Sequence, residues 1–307
     1  MKDNKKQTGA VLVLYKPDWK VTEKAIESLR NQVDRLCIVD NTPGVDLSDK
    51  FYDDSIISYI PLGDNLGIAK AQNTGIQHLI DEGFDYILFS DQDSQAPGDV
   101  VEKLMSAHHT LTDNGVKVAA VGTRAINKQT GKPYAAKSKE LGSPLEVPDR
   151  NFTECYSVRS SISLISKEAF LNVGGFDEAL FIDGVDHEWG WRAWHRHKLR
   201  SFIVENATIS HMLGEGDRSF AGKSLSIPSY ARTYFQFRNF FWLKKRDYIP
   251  SSWIKENGIK YFIKTFYFPL MVAPRAKFLH NIVKGIKDGL FPSVQTEYWP
   301  YFQVKKD

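Results

Sequence analysis

Runs made up mainly of apolar residues recur along the N-terminal third of the chain, and polar residues follow each of them. Runs 10–15 and 86–89 are uninterrupted, whereas 35–39 begins with Arg35 and 56–60 contains Ser58. An uninterrupted apolar run of this length is typical of a strand buried on both faces, as in a parallel sheet covered by helices. Apolar residues at helical intervals fill segments 21–32 and 68–80 between the runs. The sequence therefore predicts an α/β fold, with a mixed, mostly parallel sheet flanked by helices.

Four polar or amphipathic residues stand where predicted strands end: Tyr15, Asp40, Asn65 and Asp91. In open sheets of this kind, ligands bind beyond the carboxyl ends of the strands. We therefore expect the four side chains to converge on one ligand-binding crevice.

A pair of carboxylates, Asp91 and Asp93, follows the apolar run 86–89. Side chains alternate across an extended strand, so residues two apart can point the same way. Mg²⁺ is commonly held by one or two carboxylates while substrate phosphates complete its shell, which makes a nucleotide diphosphate the first substrate hypothesis. The alternative is a polar turn after a buried strand, because Asp, Gln and Ser are ordinary turn residues.

Residues 183–194 form a second acidic stretch, which is also rich in tryptophan. On a helix that begins near Asp186, this carboxylate would face the crevice, where it could accept a proton from an incoming hydroxyl. The alternative for Asp186 is an N-cap, a position that Asp fills well. Glu188 and Arg192 are one helical turn apart and can form a structural ion pair.

Two further residues have a functional and a structural interpretation. His211 follows a predicted strand pair at 201–204 and 207–210; a lone histidine is more often structural than a metal or phosphate ligand. Arg238 lies on a predicted helix and could clamp phosphate through its planar guanidinium, or lie on a solvated face.

Charge divides the chain into two regions. Residues 221–307 contain 15 lysines and arginines against five acids and hold 20 of the 39 aromatic residues, whereas residues 1–220 carry 25 basic and 32 acidic residues. We expect a catalytic domain over 1–220 and a basic, aromatic, helical extension over 221–307. An anionic membrane surface suits this extension, and so does nucleic acid; an amphipathic helix packed on the body is the structural alternative.

The remaining composition favours a cytoplasmic protein. Cys37 and Cys155 lie in apolar or mixed contexts, which favours passive thiols in a reducing compartment over a disulfide framework. The polar N-terminus lacks the pattern of a signal peptide, and the longest apolar run, residues 266–273, contains Pro269 and is too short for a membrane span.

The order of several motifs resembles glycosyltransferase family 2, whose inverting enzymes have the Rossmann-like GT-A fold, and within it the bacterial rhamnosyltransferases. The motifs span most of residues 10–240. They are Val39-Asp40-Asn41; residues 64–75, with Asp64-Asn65-Leu66-Gly67 and Asn73-Thr74-Gly75; Asp91-Gln92-Asp93; Gly174-Gly175-Phe176-Asp177; Asp183-Gly184-Val185-Asp186-His187-Glu188-Trp189 with Arg192; and His211 with Gly214.

The resemblance implies a role for each matching residue at the nucleotide. Asp40 would contact the base, while Asn65, Gly67 and Asn73 would shape the nucleotide pocket. Asp91 would lie near the ribose. To this set we add Tyr15 and Arg238 as candidate nucleotide-sugar contacts.

The resemblance also implies the chemistry. Asp93 would bind Mg²⁺ or Mn²⁺ bridging the diphosphate, His211 would lie near the metal or pyrophosphate, and Asp186 would be the catalytic base. The form Asp183-x-x-Asp186-x-Glu188 is what points to rhamnosyl transfer from dTDP-β-L-rhamnose, and it leaves open whether Asp186 or Glu188 takes the proton.

The expected function is transfer of a sugar, with inversion, to a saccharide acceptor in cell-surface polysaccharide synthesis, such as O-antigen or cell wall. A lipid-linked oligosaccharide is the natural acceptor, and it would bring the protein to the inner face of the cell membrane. Three alternatives stay open: a UDP-hexose donor, a catalytically silent sugar-binding assembly protein, and a nucleic-acid protein, for which the basic tail offers no binding motif. The tail could also contact a partner chain in a homodimer.

Overall fold

The computed structural model describes residues 7–127, 130–134, 151–211, 217–220 and 223–291, with no side-chain description for 211–226. The strands are β1 (Thr8–Leu14), β2 (Arg35–Asp40), β3 (Ile57–Pro61), β4 (Tyr86–Asp91), β5 (Val118–Asn127), β6 (Phe152–Cys155), β7 (Ser163–Ser166), β8 (Arg200–His211), β9 (Asp217–Phe220) and β10 (Lys223–Ser226). The helices are α1 (Trp19–Arg30), α2 (Ser48–Phe51), α3 (Ile68–Asp81), α4 (Val100–Asp113), α5 (Lys167–Val173), α6 (Val185–His197), α7 (Tyr230–Leu243), α8 (Ser251–Met271) and α9 (Arg275–Leu290), with a 3-10 turn at Glu178–Leu180.

Eight strands form one mixed sheet in the order β3-β2-β1-β4-β7-β5-β8-β6. The pairs β1–β2, β1–β4, β2–β3 and β5–β8 are parallel, whereas β7 is antiparallel to both its neighbours and β6 is antiparallel to β8. This arrangement confirms the predicted mixed, mostly parallel sheet. Because β1, β2 and β4 are parallel neighbours, their carboxyl ends share one edge, as the strand-end residues predicted.

Helices cover both faces of the sheet. Leu29 of α1 and Leu104 of α4 belong to one buried apolar layer, while Leu79 of α3, Phe170 of α5 and Trp189 of α6 belong to the other. The central strands are therefore buried on both sides, which is why they appear in the sequence as unbroken apolar runs.

The two strands predicted at 201–204 and 207–210 are one strand, β8. Its pairing with β5 shifts register between Thr123 and Arg124, where Val204 and Thr208 are the successive partners. The polar residues Glu205 and Asn206 fall in this irregularity, and Glu205 pairs there with Arg124. A β-bulge of this kind admits polar residues without ending the strand, which explains the error. Of the long loop predicted at 127–152, residues 128–129 and 135–150 lie outside the described part.

The C-terminal helices continue from the body of the fold. Leu243 at the end of α7, and Tyr248 and Ile249 after it, belong to the same apolar layer as Trp189. Helices α8 and α9 form a hairpin with its own small core. Among the described residues, no helix combines the length and hydropathy needed to span a bilayer.

Candidate active site

The carboxylate pair lies at the carboxyl end of β4, beside the end of β1. Asp91 is the register partner of Val13. The Tyr15 amide donates to Gln92 Oε1 over 2.8 Å, and Gln92 Nε2 donates to the Tyr15 carbonyl over 3.1 Å. Gln92 thus ties the two strand ends together, a role that its position between two acids did not reveal. Tyr15 is 42% exposed at this edge, which suits a ligand contact.

Three carboxylates, Asp91, Asp93 and Asp186, form an acid cluster at this edge. Burial, followed by the negative charges of Asp93 and Asp186, raises the pKa of Asp91 to about 7, against a hydrogen bond from Ser161. Burial also raises the pKa of Asp186. Interacting like charges disfavour full ionisation, so a positive charge would be stabilised at this cluster.

Asp186 lies in the first turn of α6. Its Oδ2 accepts a hydrogen bond from the Ser160 amide over 3.2 Å. Gly184, with a left-handed φ of 89°, provides the N-cap instead. Asp186 is therefore not the cap that one interpretation suggested; its carboxylate binds Ser160, outside its own helix, and interacts electrostatically with Asp91.

Two arginines that the sequence did not single out lie close to the acid cluster. Arg159 interacts electrostatically with Asp186 and Asp91. Arg232, in the first turn of α7, interacts with the same two acids and donates to both carboxylate oxygens of Asp183 over 2.8 to 3.0 Å. Arg159 lies in the loop before β7 and Arg232 lies 46 residues after Asp186, so only the tertiary fold brings them to the cluster.

Glu188 occupies a different environment from Asp186. It is 1% exposed, and its carboxylate pairs with Arg192 at 2.8 Å and Arg246 at 3.2 Å and accepts from the Tyr248 hydroxyl at 2.6 Å. These partners outweigh burial and lower its pKa. A buried carboxylate with this many donors cannot reach an acceptor hydroxyl, so the geometry favours the structural ion pair over proton transfer.

Asn73 joins α3 to the Gly174-Gly175-Phe176-Asp177 loop. It is 3% exposed; its Nδ2 donates to the Phe176 carbonyl and to Glu178, and its Oδ1 accepts from the Phe176 amide over 2.8 Å. All of these partners are protein groups. Asn73 therefore supports the loop that leads to α6, and its predicted part in shaping the nucleotide pocket stays a prediction.

Gly67 and Asn65 shape the start of α3. Gly67 has a φ of 88°, and a Cβ there would lie 2.7 Å from the Phe181 carbonyl oxygen, while the Ile68 amide donates to that carbonyl. Asn65 Oδ1 accepts from Asn41 and from the Gly67 amide. The close approach and the positive φ both require glycine.

Asp40 is 1% exposed at the end of β2. One oxygen accepts from the Thr42 amide and the other from the Tyr59 hydroxyl, both over 2.9 Å. Asp40 thus fixes the turn after β2 in this structure, and its predicted contact with a base stays a prediction.

Arg238 lies against the 3-10 turn rather than the acid cluster. Its Nη2 donates to the carbonyls of Ala179 and Leu180, and its guanidinium stacks over Trp242 at 4.1 Å. Arg232, one and a half turns earlier on α7, is the arginine that faces the acids. The helix was predicted correctly, but its orientation depends on packing.

The acid cluster has the chemistry of a site for a hard divalent cation. Within the described side chains no group of three or more His, Cys, Asp or Glu residues is arranged to hold a metal. Two carboxylates nevertheless suit Mg²⁺ or Mn²⁺ when phosphate oxygens supply the other ligands, and the pKa of Asp91 is raised by burial and then by the charges of Asp93 and Asp186. His211 ends β8, but its side chain and Gly214 lie outside the described part.

Comparison with known proteins identifies the fold and the family. The family model described as glycosyl transferase family 2 matches residues 10–173. The chain belongs to glycosyltransferase family 2. It is 33% identical over 245 residues to a protein named dTDP-rhamnosyl transferase RfbF from Shigella flexneri, with 78% of this chain and 81% of that protein covered. The resemblance predicted from the motifs is confirmed.

Solved structures agree on the fold. GalNAc-T7, crystallised with UDP, GalNAc and Mn²⁺, superposes with a TM-score of 0.54 at 13% identity, over 88% of this chain and 58% of that one. Residues 1–349 of TarS from S. aureus superpose with a TM-score of 0.51 at 13% identity, over 92% of this chain and 81% of that one. The GT-A fold is thus confirmed, while the family match and the identity to RfbF show that the chain is a glycosyltransferase.

Proposed function

We propose that this glycosyltransferase moves L-rhamnose from dTDP-β-L-rhamnose, with inversion at the anomeric carbon, to a hydroxyl of a saccharide acceptor. The donor follows from the 33% identity to a dTDP-rhamnosyl transferase. The single structural observation that carries the mechanism is the position of Asp186, which faces Asp91 from the first turn of α6 while Glu188 is enclosed by cations.

Asp186 is the proposed general base. A carboxylate with a raised pKa is a better proton acceptor than an ordinary surface Asp, which suits removal of a proton from the acceptor hydroxyl as it attacks. The Ser160 amide holds the carboxylate in place through Oδ2. Glu188 would take no part in proton transfer. Its ion pairs would instead hold the first turn of α6, and with it Asp186, in position.

The leaving group would be stabilised by charge at the same edge of the sheet. Asp93 and Asp91, with His211 as the resemblance implies, are the residues proposed to hold Mg²⁺ or Mn²⁺, which when bound neutralises charge on the diphosphate. Arg159 and Arg232 place two guanidinium groups beside the cluster. Fixed cations of this kind stabilise the negative charge that develops on a departing nucleotide.

The acceptor proposed is a saccharide, lipid-linked in the assembly of a cell-surface polysaccharide. The support is the resemblance of the motifs to those of the bacterial rhamnosyltransferases. Such an acceptor is presented at a membrane, so the proposal includes a peripheral location there.

Release of dTDP from dTDP-β-L-rhamnose, compared with release of UDP from UDP-hexoses, tests the donor. Faster turnover of a UDP-hexose would replace the proposed donor. Binding of dTDP-β-L-rhamnose without any release of dTDP, with and without saccharide acceptors, would favour the non-catalytic alternative.

The base is tested by Asp186→Asn, which keeps the shape of the side chain and removes its basicity. We expect transfer to fall by about 100-fold or more, while donor affinity measured by calorimetry changes little. Glu188→Gln is the matched comparison: it should lower the melting temperature, because it removes the paired carboxylate of Arg192 and leaves Arg246 with Asp177 alone. Loss of donor affinity in folded Asp186→Asn would contradict the assignment.

A further inference from the structure

Helices α8 and α9 each have an inner apolar face. One buried cluster joins these inner faces to α7. It contains Phe268 of α8, Val272 directly after α8, Phe278 and Ile282 of α9, and Phe237 of α7. Phe268 and Phe278 are in ring contact, with centroids 5.2 Å apart. This cluster accounts for the folding of the hairpin against α7.

The same two helices carry a second set of large apolar side chains, which are exposed. On α8 they recur at intervals of three and four residues and so form one stripe. Phe262 and Phe266 are 67% and 57% exposed, and their rings touch each other, with centroids 5.3 Å apart. We call this set, together with its counterparts on α9, the outer face: Ile259, Phe262, Ile263, Phe266, Leu270, Met271, Leu279, Val283 and Leu290.

The concentration of these residues is unusual for a soluble surface. Fifteen large hydrophobic residues are exposed in the described part of the chain, and ten of them lie on α8, α9 or at Phe291, directly after α9. Scattered apolar residues on a surface need no explanation, whereas an apolar stripe marks a binding surface. The exposed side chains are not part of the buried cluster that packs the inner face.

Basic residues border the outer face. Exposed cations on the two helices are Lys255, Lys260, Arg275, Lys277, Lys284 and Lys287, whereas Glu256 and Asp288 are the acids between residues 251 and 291. Lys277 and Lys284 lie over the rings of Tyr230 and Tyr234 in α7, and Asp288 accepts a hydrogen bond from the Tyr234 hydroxyl over 2.9 Å. The exposed charge on the two helices is therefore mainly positive, and its complement is an anionic surface.

Charge distinguishes the two occupants that could cover an apolar stripe. A second copy of the chain, related by a two-fold axis, would bring the same basic border against itself. Anionic lipid headgroups would neutralise the border while the apolar side chains enter the acyl boundary, as amphipathic helices do at interfaces. Length and hydropathy exclude a span by either helix, so the hairpin would lie along the surface.

We propose that the outer face of α8 and α9 binds the headgroup region of a membrane that contains anionic lipids. This inference deepens the peripheral location included in the proposed function. It needs no transfer assay, so a wrong donor or a wrong base would leave its test unaffected.

The test is sedimentation of the full chain with vesicles of phosphatidylcholine, alone or mixed with phosphatidylglycerol. We expect binding to the mixed vesicles and much weaker binding to the neutral ones, with the difference reduced by salt. A triple substitution, Phe262→Ser, Phe266→Ser and Leu270→Ser, should weaken binding by at least about tenfold. These side chains are exposed, so the variant should fold, which circular dichroism would check.

Two controls make the test specific. Tyr52→Ser with Leu171→Ser removes exposed apolar side chains elsewhere on the surface and should leave binding unchanged. Lys255→Gln with Lys287→Gln should reduce the preference for anionic vesicles by several fold.

Three outcomes would overturn the proposal. The first is no binding of the full chain to anionic vesicles. The second is equal binding by the triple variant and the unmodified chain. The third is a dimer, measured by light scattering, that the triple substitution converts to a monomer without an effect on vesicles, which would assign the face to a second copy.

Discussion

At the scale of single residues, the site depends on how differently neighbouring acids are placed. Asp91 is half-buried at the end of β4, and Asp93 is exposed two residues later. Asp186 has a raised pKa and Glu188 a lowered one, although both lie in the first turn of α6. Burial raises the pKa of Asp186 against the opposing effects of Ser160 and Arg159, whereas around Glu188 the charges of Arg192 and Arg246 and the Tyr248 hydroxyl outweigh burial. Residue type therefore does not decide which acid can exchange a proton.

Asp93 is the residue for which a metal role can be tested most directly. Asp93→Ala should weaken dTDP binding in the presence of Mg²⁺ by at least about tenfold, because one of the proposed ligands is lost. Calorimetry with and without Mg²⁺ measures the effect. Glu102→Ala, which removes an exposed acid on α4, is the matched control. Equal affinities for the unmodified chain and Asp93→Ala in Mg²⁺ would rule out this role.

At the scale of elements, α8 contains a lysine on its inner face. Lys264 is 2% exposed; its Nζ donates to Gln236 over 3.0 Å and lies over the rings of Tyr261 and Phe268. Burial, and then the charge of Lys260, lowers its pKa to about 7; Arg232 acts in the same direction, and Asp183 opposes it. The helix thus has a titratable group in its core.

The stability of the protein should therefore rise with pH above neutrality. An unfolded lysine has a pKa of about 10.4, so between about pH 7 and pH 10 the unfolded state binds more protons than the folded state does. The free energy of unfolding should increase there by up to about 1.4 kcal/mol per pH unit from this group. Below pH 7 both states are protonated, and the contribution is constant.

Lys264→Met should remove this rise and stabilise the protein at pH 7 by on the order of 2 kcal/mol. Urea unfolding at a series of pH values measures both effects. Lys255→Met, on the exposed side of the same helix, is the control and should leave the pH dependence unchanged. If Lys264→Met gave the same slope as the unmodified chain, the buried lysine would be charged throughout.

At the scale of the whole molecule, the C-terminal region supports the catalytic region. Asn239, which is 2% exposed, donates from its Nδ2 to the carbonyls of Leu180, Ile182 and Asp183 just before α6. Arg246 pairs with Asp177 and Glu188. The division of the chain at residue 220 was proposed from charge and function. The contacts of Asn239 and Arg246 nevertheless join the two regions, around the segment that carries Asp186.

Arg246→Ala should therefore destabilise the whole protein rather than its last helices alone. Removing one partner of a buried ion network costs about 3–5 kcal/mol, so the melting temperature should fall in a single transition. Arg196→Ala, which breaks a surface pair with Asp247 at 2.7 Å, is the matched control and should cost about 1 kcal/mol or less. Comparable losses in the two variants would contradict the role given to Arg246.

The sequence alone determined the fold and the place of the site. Unbroken apolar runs define strands buried on two faces because this pattern is local, and the carboxyl ends of parallel strands must meet at one edge. The motifs then identified the family, and the comparisons confirmed it. The error at β8 arose because a bulge admits polar residues that resemble a turn.

The tertiary structure decided which of the candidate residues face the crevice. Whether Glu188 meets substrate or cations, and whether Arg232 or Arg238 faces the acids, depends on residues that packing brings from distant parts of the chain. The motif around Asn73 predicts a residue of the nucleotide pocket, yet its hydrogen-bond partner Phe176 lies more than 100 positions away in the chain. Spacing along one helix specifies which side chains share a face, but the residues that this face contacts depend on the tertiary packing of the whole chain.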